Sequence, residues 1–67
     1  MRANGAAIRA IRGRTGLSLR DIKTATGLHK GYLSELERGL KDAQLSTLVR
    51  IACALDVDVA AISRDPS

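Results

Sequence analysis

Five residues on one short stretch carry the chain's most distinctive chemistry: Lys30, Gly31, Ser34, Glu35 and Arg38. At helical spacing they share one side, and Leu33 and Leu36 take the other. Lys30 and Arg38 donate hydrogen bonds, Glu35 accepts them and Ser34 does both. Gly31 has no side chain and lets a partner approach the backbone. None of the five is large and apolar, so the face suits a wet, hydrogen-bonding surface. Catalysis is not what this set offers. The chain assembles no paired carboxylates, no nucleophile with a base, no metal cluster and no phosphate-binding glycine loop. No enzyme activity, cofactor or metal is therefore expected. His29 has no Cys or second His near it with which to hold an ion.

Two helical patterns must position this face. Ser18 reads as an N-cap, and Asp21 three residues later as a weaker capping box. Ile22 and Ala25 continue as an apolar face. Thr26-Gly27-Leu28 then interrupts the pattern, with Gly27 free to take the positive φ that ends a helix. The second pattern runs from about Lys30 to Arg38 and stops at Gly39. Two helices joined by so short a turn cross steeply and leave one face of the second open.

The run from Ser18 through Gly27, Leu28, Leu33 and Leu36 to Glu37-Arg38-Gly39 resembles the helix-turn-helix of the Cro/phage-repressor family, and the likeness extends from about Gly5 to Ile62. The resemblance implies that the second motif helix enters the DNA major groove, with Lys30, Gly31, Ser34 and Glu35 at base-reading positions. Lys30 would donate to guanine N7 and O6, and Glu35 would accept from the cytosine amino group. An acid set among phosphates implies discrimination; the alternative is a solvated Glu35 paired with Lys30 or Arg38. Tyr32 has three uses open to it: a phosphate bond through its hydroxyl, cover for a thymine methyl, or a half-buried lid on the motif. Arg2, Arg14, Arg20, Lys23, His29, Arg38 and Lys41 are the expected backbone contacts. The plainer alternative for the arginines of the first helix is a solvated face. Glu37 is expected to hydrogen-bond the backbone of the following loop. The sequence departs from the family at four places. Leu19 stands where a phosphate-bonding polar side chain is common, Lys23 where a small residue packs, His29 where Ser or Thr caps, and Ala43 where proline is common. With Lys23 there, Ala25 is expected to make the close contact between the motif helices.

Taken in order, the chain reads as an all-α, compact bundle of five short helices. The first runs from about Gly5 to Arg14 after Asn4, with Gly13 and Gly16 bracketing its end and Leu17 packing near the second. Next come about Leu19 to Thr26, about Lys30 to Arg38, and about Leu45 to Leu55. The last is expected from Val59 to about Ser63 after Asp58, with Pro66 preventing its continuation. The expected core is Ile8, Ile11, Ile22, Leu28, Leu33, Leu36, Leu45, Leu48, Ile51, Ala52 and Leu55. Cys53 is expected to be a buried or half-buried small hydrophobe. The 67 residues allow one domain, spanning 1–67 and ordered over about 4–63, with a mobile tail at 64–67.

Composition narrows the partner. The net charge of +4 favours a polyanion. Tyr32 is the only aromatic residue, which argues against base stacking on single strands and leaves duplex DNA. One Cys excludes an internal disulfide, no apolar run approaches the roughly 20 residues of a membrane span, and the N-terminus lacks a signal-peptide core. A cytoplasmic setting is expected. The function implied is a sequence-specific DNA-binding regulator, a repressor or Cro-like protein with no small-molecule effector. It would bind a palindromic operator as a homodimer, at least on DNA, pairing through Val57, Val59, Ala60 and Ile62. The alternative is an antitoxin or other protein-interaction module on the same fold.

Overall fold

The computed structural model describes residues 2–64. Helix α1 spans Gly5–Thr15, α2 Leu19–Thr26, α3 Lys30–Glu37 and α4 Leu45–Leu55. Each begins or ends where a side chain or a left-handed residue satisfies the orphan backbone groups of a helix terminus. The Asn4 side chain accepts from the Ala7 N–H at 3.1 Å at the start of α1. Ser18 and Asp21 form a complete capping box, the hydroxyl accepting from the Asp21 N–H at 3.1 Å and the carboxylate from the Ser18 N–H at 2.8 Å. Those bonds hold the Asp21 carboxyl below its usual range. Helix α1 ends between the two bracketing glycines, at Thr15, and closes at Gly16. There the Leu17 N–H donates to the Arg12 carbonyl at 3.1 Å.

The fifth expected helix is a four-residue 3₁₀ turn, Val59–Ile62, so the fold has four α-helices. Asp58 starts the turn by accepting from the Ala60 N–H at 3.1 Å. It ends because the chain extends at once into a strand. Residues Ser63–Arg64 (β2) pair antiparallel with Arg2–Ala3 (β1), placing Arg2 opposite Arg64 and Ala3 opposite Ser63. The Asn4 N–H adds a bond to the Ile62 carbonyl at 2.9 Å. Arg64, expected in a mobile tail, is thus part of the folded unit, whereas residues 65–67, with the expected stop at Pro66, lie outside the described residues. Strands of two residues carry no periodicity by which a sequence could announce them.

The core is aliphatic. Ile8, Ile11, Ile22, Leu33, Leu36, Leu48, Ile51, Ala52, Leu55 and Ile62 are buried, with Ala3 and Ala43. Several expected positions differ. Leu45 is 51% exposed, since it is the first residue of α4 and overhangs the core that its later turns fill. Leu28 is half-buried. Ala25 is exposed and supplies no close helix contact; the buried residue of that turn is Thr26. Cys53 is exposed, because Ala52 and Leu55 take the inward face of α4. Ile62 is fully buried, which removes it from any association surface, while Val57 and Val59 are half-buried against the core. Among the described residues no helix is long and apolar enough to cross a membrane.

Backbone meets backbone where α1 starts beside the end of α3. A Cβ at Gly5 would overlap the Leu36 carbonyl oxygen and sit 2.8 Å from that of Glu37. Both obstacles are main-chain atoms of a helix, which cannot rotate aside. Gly5→Ala is expected to lower the unfolding free energy by about 1–3 kcal/mol, as overpacking does. Urea denaturation measures this, and an unchanged midpoint would show that the two helices can part freely.

Candidate nucleic-acid interface

Helix α3 buries Leu33 and Leu36 and turns its other side outward. Lys30 and Gly31 are exposed at its first turn, Ser34 and Glu35 are half-buried one turn on, and Arg38 is exposed at its C-cap. Glu35 makes no ion pair with Lys30 or Arg38 among the described residues, so the solvated-pair alternative is not what forms. Tyr32 is half-buried, and its hydroxyl donates to the Asp42 carbonyl at 3.2 Å. A base or phosphate contact through that hydroxyl would have to compete with this bond. His29 is exposed at the N-cap and makes no side-chain capping bond. Its backbone is extended, and its carbonyl accepts from the Leu33 N–H at 3.0 Å to start the helix.

The helix is held by charge as well as by packing. Glu37 was expected to bond the backbone of the following loop; instead its carboxylate receives the Arg12 guanidinium in a two-pronged bond. Nε donates to Oε2 at 2.6 Å and Nη2 to Oε1 at 3.0 Å. The third arm, Nη1, donates to the Leu17 carbonyl at 3.0 Å. Glu37 is 6% exposed at its side chain and Arg12 20%. The bond to Glu37 lifts the Arg12 guanidinium above its ordinary pKa. Arg12 therefore belongs neither to a solvated face nor to a phosphate-facing one. It ties α1, the residue leading into α2 and the last turn of α3 together.

Gly27 ends α2 at positive φ as expected, and the turn to α3 has a further fastening, through Thr26 and Arg50, that sequence reasoning missed. Gly27 sits at φ 77° and donates to the Lys23 carbonyl at 2.7 Å. The buried Thr26 hydroxyl donates to the Ile22 carbonyl at 2.7 Å and accepts from the Leu28 N–H at 3.2 Å. Arg50 reaches from α4 and donates through Nη2 to the Thr26 carbonyl at 2.6 Å. A threonine just before a helix-ending glycine is a weak signal for this arrangement. Nothing in the spacing of Arg50 announces its reach across 24 residues.

The remaining cations divide by what they touch. Arg14, Arg20, Lys23, Arg38 and Lys41 are exposed, and none forms an ion pair among the described residues. Lys23 needs no burial of its stem, because its side of α2 faces solvent. Arg2 is exposed but engaged, with Nε 3.5 Å from Asp42 Oδ2. Asp42 also accepts from the Ala3 N–H at 2.8 Å and the Ala43 N–H at 2.9 Å. These backbone bonds, before Arg2, hold the Asp42 carboxyl below its usual range. Among the described residues no His, Cys, Asp and Glu group could hold a metal ion.

Comparison with known proteins agrees with this geometry. A family model described as helix-turn-helix matches residues 8–62. An uncharacterized HTH-type transcriptional regulator of Sinorhizobium fredii, y4dL, is 35% identical over 52 residues, which is 78% of this chain and 26% of that protein. The chain thus spans about a quarter of that relative's length. The restriction-modification controller protein C.AhdI of Aeromonas hydrophila superposes with a TM-score of 0.81 at 30% identity, over 85% of this chain and 86% of its own. The biofilm master regulator SinR, solved in complex with DNA, superposes with a TM-score of 0.78 at 33% identity, over 84% of this chain and 90% of its own.

The clamp on α3 has a measurable consequence. Glu37→Ala strands the Arg12 guanidinium in a mostly buried setting. The expected loss is about 3 kcal/mol, the low end for breaking a buried pair, because Arg12 keeps some access to water. The double replacement Arg12→Met with Glu37→Leu is expected to recover most of it. Chemical denaturation of the three chains reads both effects, and a loss below about 1 kcal/mol for Glu37→Ala would mark the pair as an ordinary surface bridge.

Proposed function

The chain belongs to the Cro/phage-repressor type helix-turn-helix family, and from that premise we propose that it is a transcriptional regulator that binds duplex DNA sequence-specifically by laying α3 in the major groove. The observation that carries this reading is the division of charge on α3. Glu37 is consumed inside the fold, while Lys30 and Arg38 stay exposed on the outward side and, among the described residues, unpaired. Lys30, Ser34 and Glu35 read base edges, Gly31 lets the backbone approach them, and Tyr32 lies at their margin. Arg14, Arg20, Lys23, His29, Arg38 and Lys41, together with Arg2, contact the phosphates. Occupancy is the mechanism: bound at an operator, the protein excludes RNA polymerase or a competing repressor. The setting is the cytoplasm, and no effector is required.

The length of α3 argues for two copies. Eight residues rising about 1.5 Å each span about 12 Å, or between three and four base pairs. Two copies about 34 Å apart would read both halves of a palindrome. With Ile62 buried, the apolar surface for pairing lies on α4. Leu45 and Val49, one turn apart, are 51% and 42% exposed, and the exposed Cys53 follows one turn later.

Two measurements test this reading. In selection from random duplexes the protein is expected to enrich a two-fold symmetric site. Lys30→Ala should lose about 1–3 kcal/mol on that site and relax base choice at one position of each half. Arg38→Ala should weaken selected and random duplexes alike. Equal binding of selected and random duplexes by the unaltered protein would end the reading. For the pairing face, a short thiol–thiol crosslinker on operator-bound protein should join two chains through Cys53, and Val49→Glu should abolish the product. A monomer on the selected site would remove the dimer.

A further inference from the structure

We propose that the pair of terminal strands forms a binding site for a phosphoryl oxyanion, with Arg64 as its new ligand. Three cations line one open cavity of about 230 Å³: Arg2 from β1, Arg64 from β2 and Lys41 from the loop after α3. A water occupies about 30 Å³ in the liquid, so a hydrated oxyanion has room there. The antiparallel register sets Arg2 directly opposite Arg64. Like charges so placed destabilise a strand pair unless something between them carries the opposite sign.

The protein supplies only part of that sign. Among the described residues Asp42 is the one carboxylate lining the cavity, and it is largely committed elsewhere. Its Oδ1 accepts from the Ala3 and Ala43 N–H groups, and its Oδ2 faces Arg2 alone, at 3.5 Å. Among the described residues, three cations against one acid leave two positive charges on the cavity wall. Two guanidiniums and an ammonium suit the several oxygens of a phosphate, which guanidinium forks engage in pairs. The cavity also has a defined place. Gly39 and Leu40, which follow the Arg38 cap of α3, form another wall. A phosphate held here lies past the C-terminal end of the reading helix, where the backbone flanking the groove would run.

The ligand's chemistry is that of a phosphate, from the duplex backbone or free in solution. The duplex source rests on the DNA-binding reading above; the free source does not. Arg64→Gln and Arg64→Lys separate them in two assays. In the first, the slope of log affinity against log salt is measured on a random duplex. Arg64→Gln should flatten it by about one, and Arg64→Lys should keep it. In the second, the protein without DNA is melted in sodium phosphate and in sodium chloride of equal ionic strength. Phosphate should raise the melting temperature of the unaltered chain and of Arg64→Lys, but not of Arg64→Gln. In chloride, Arg64→Gln should melt no lower than the unaltered chain, since it relieves the Arg2–Arg64 repulsion. A change in the first assay identifies a backbone phosphate, and a change in the second alone a free one. If Arg64→Gln alters neither, the proposal is overturned. If the unaltered protein binds no duplex, the DNA reading fails by itself and the melting comparison still decides this site.

Discussion

Arg12 is the residue on which the placement of the outward helix turns. Its guanidinium uses one edge on Glu37 and its remaining arm on the Leu17 carbonyl. Three segments that packing alone would leave free to slide are thereby locked in register. Pulling two charges out of water is unfavourable by itself, and a hydrophobic pair of similar volume could serve stability equally well. What a bidentate fork adds is direction: it accepts one orientation of the carboxylate plane and rejects its neighbours. Because Glu37 lies in the last turn of α3, that orientation sets how the helix's polar side is presented. The close crossing at Gly5 acts on the same turn, bringing the start of α1 against the Leu36 and Glu37 carbonyls. The C-terminal end of α3 is thus gripped by backbone contact and by charge.

Two kinds of information in this chain were legible to different degrees. The boundaries of α2 and α4 could be read because local chemistry sets them. Ser18 and Asp21 cap within four residues, Gly27 needs only its own freedom of φ, and the apolar stripe from Leu48 to Leu55 repeats at helical spacing. What could not be read depends on contacts between distant positions. The roles of Glu37 and Arg12 exist only once residues 25 apart meet. The strand pair joins the two ends of the described chain, and Arg50 finds Thr26 only after α4 has docked. The misplacements of Cys53, Leu45 and Ala25 have a common origin. A stripe drawn from spacing alone is wider than the strip a small core can cover, and residues at its edge or at a helix end spill into water. The polar side of α3 was legible because it is defined by what it lacks: no apolar residue interrupts it.

The charges of the fold sort into two populations. One consists of acids and bases that hold the architecture: Glu37 on Arg12, Asp42 on two backbone N–H groups and Arg2, and Asp21 on Ser18. With Asp58 on the Ala60 N–H, four of the chain's seven acids are occupied this way. The cations are not consumed to the same extent, since Arg14, Arg20, Lys23, Lys30, Arg38 and Lys41 remain outside any ion pair among the described residues. Glu37 and Arg12 cancel each other inside the fold and Asp21 and Asp42 stay exposed, so the outer surface carries the excess of cations that the net charge of +4 indicates. A polyanion meets that surface before it meets any particular side chain, so attraction is general and choice is local.

The terminal strands show why so small a domain closes on itself. A ladder of two residues has almost no edge-free backbone, and an uncovered N–H at its rim would weaken it. Asp42 removes one such exposure by accepting from Ala3 across 39 residues of sequence. The same carboxylate accepts from Ala43, and its carbonyl takes the Tyr32 hydroxyl. The loop leaving α3 is therefore not an independent connector. It is tied on one side to the outward helix through Tyr32 and on the other to the chain's first strand. Loosening the strand pair would release Asp42, and with it the bond by which the loop holds Tyr32 beside the polar face. The two terminal strands and the face at the middle of the chain form one mechanical unit, joined at a single aspartate.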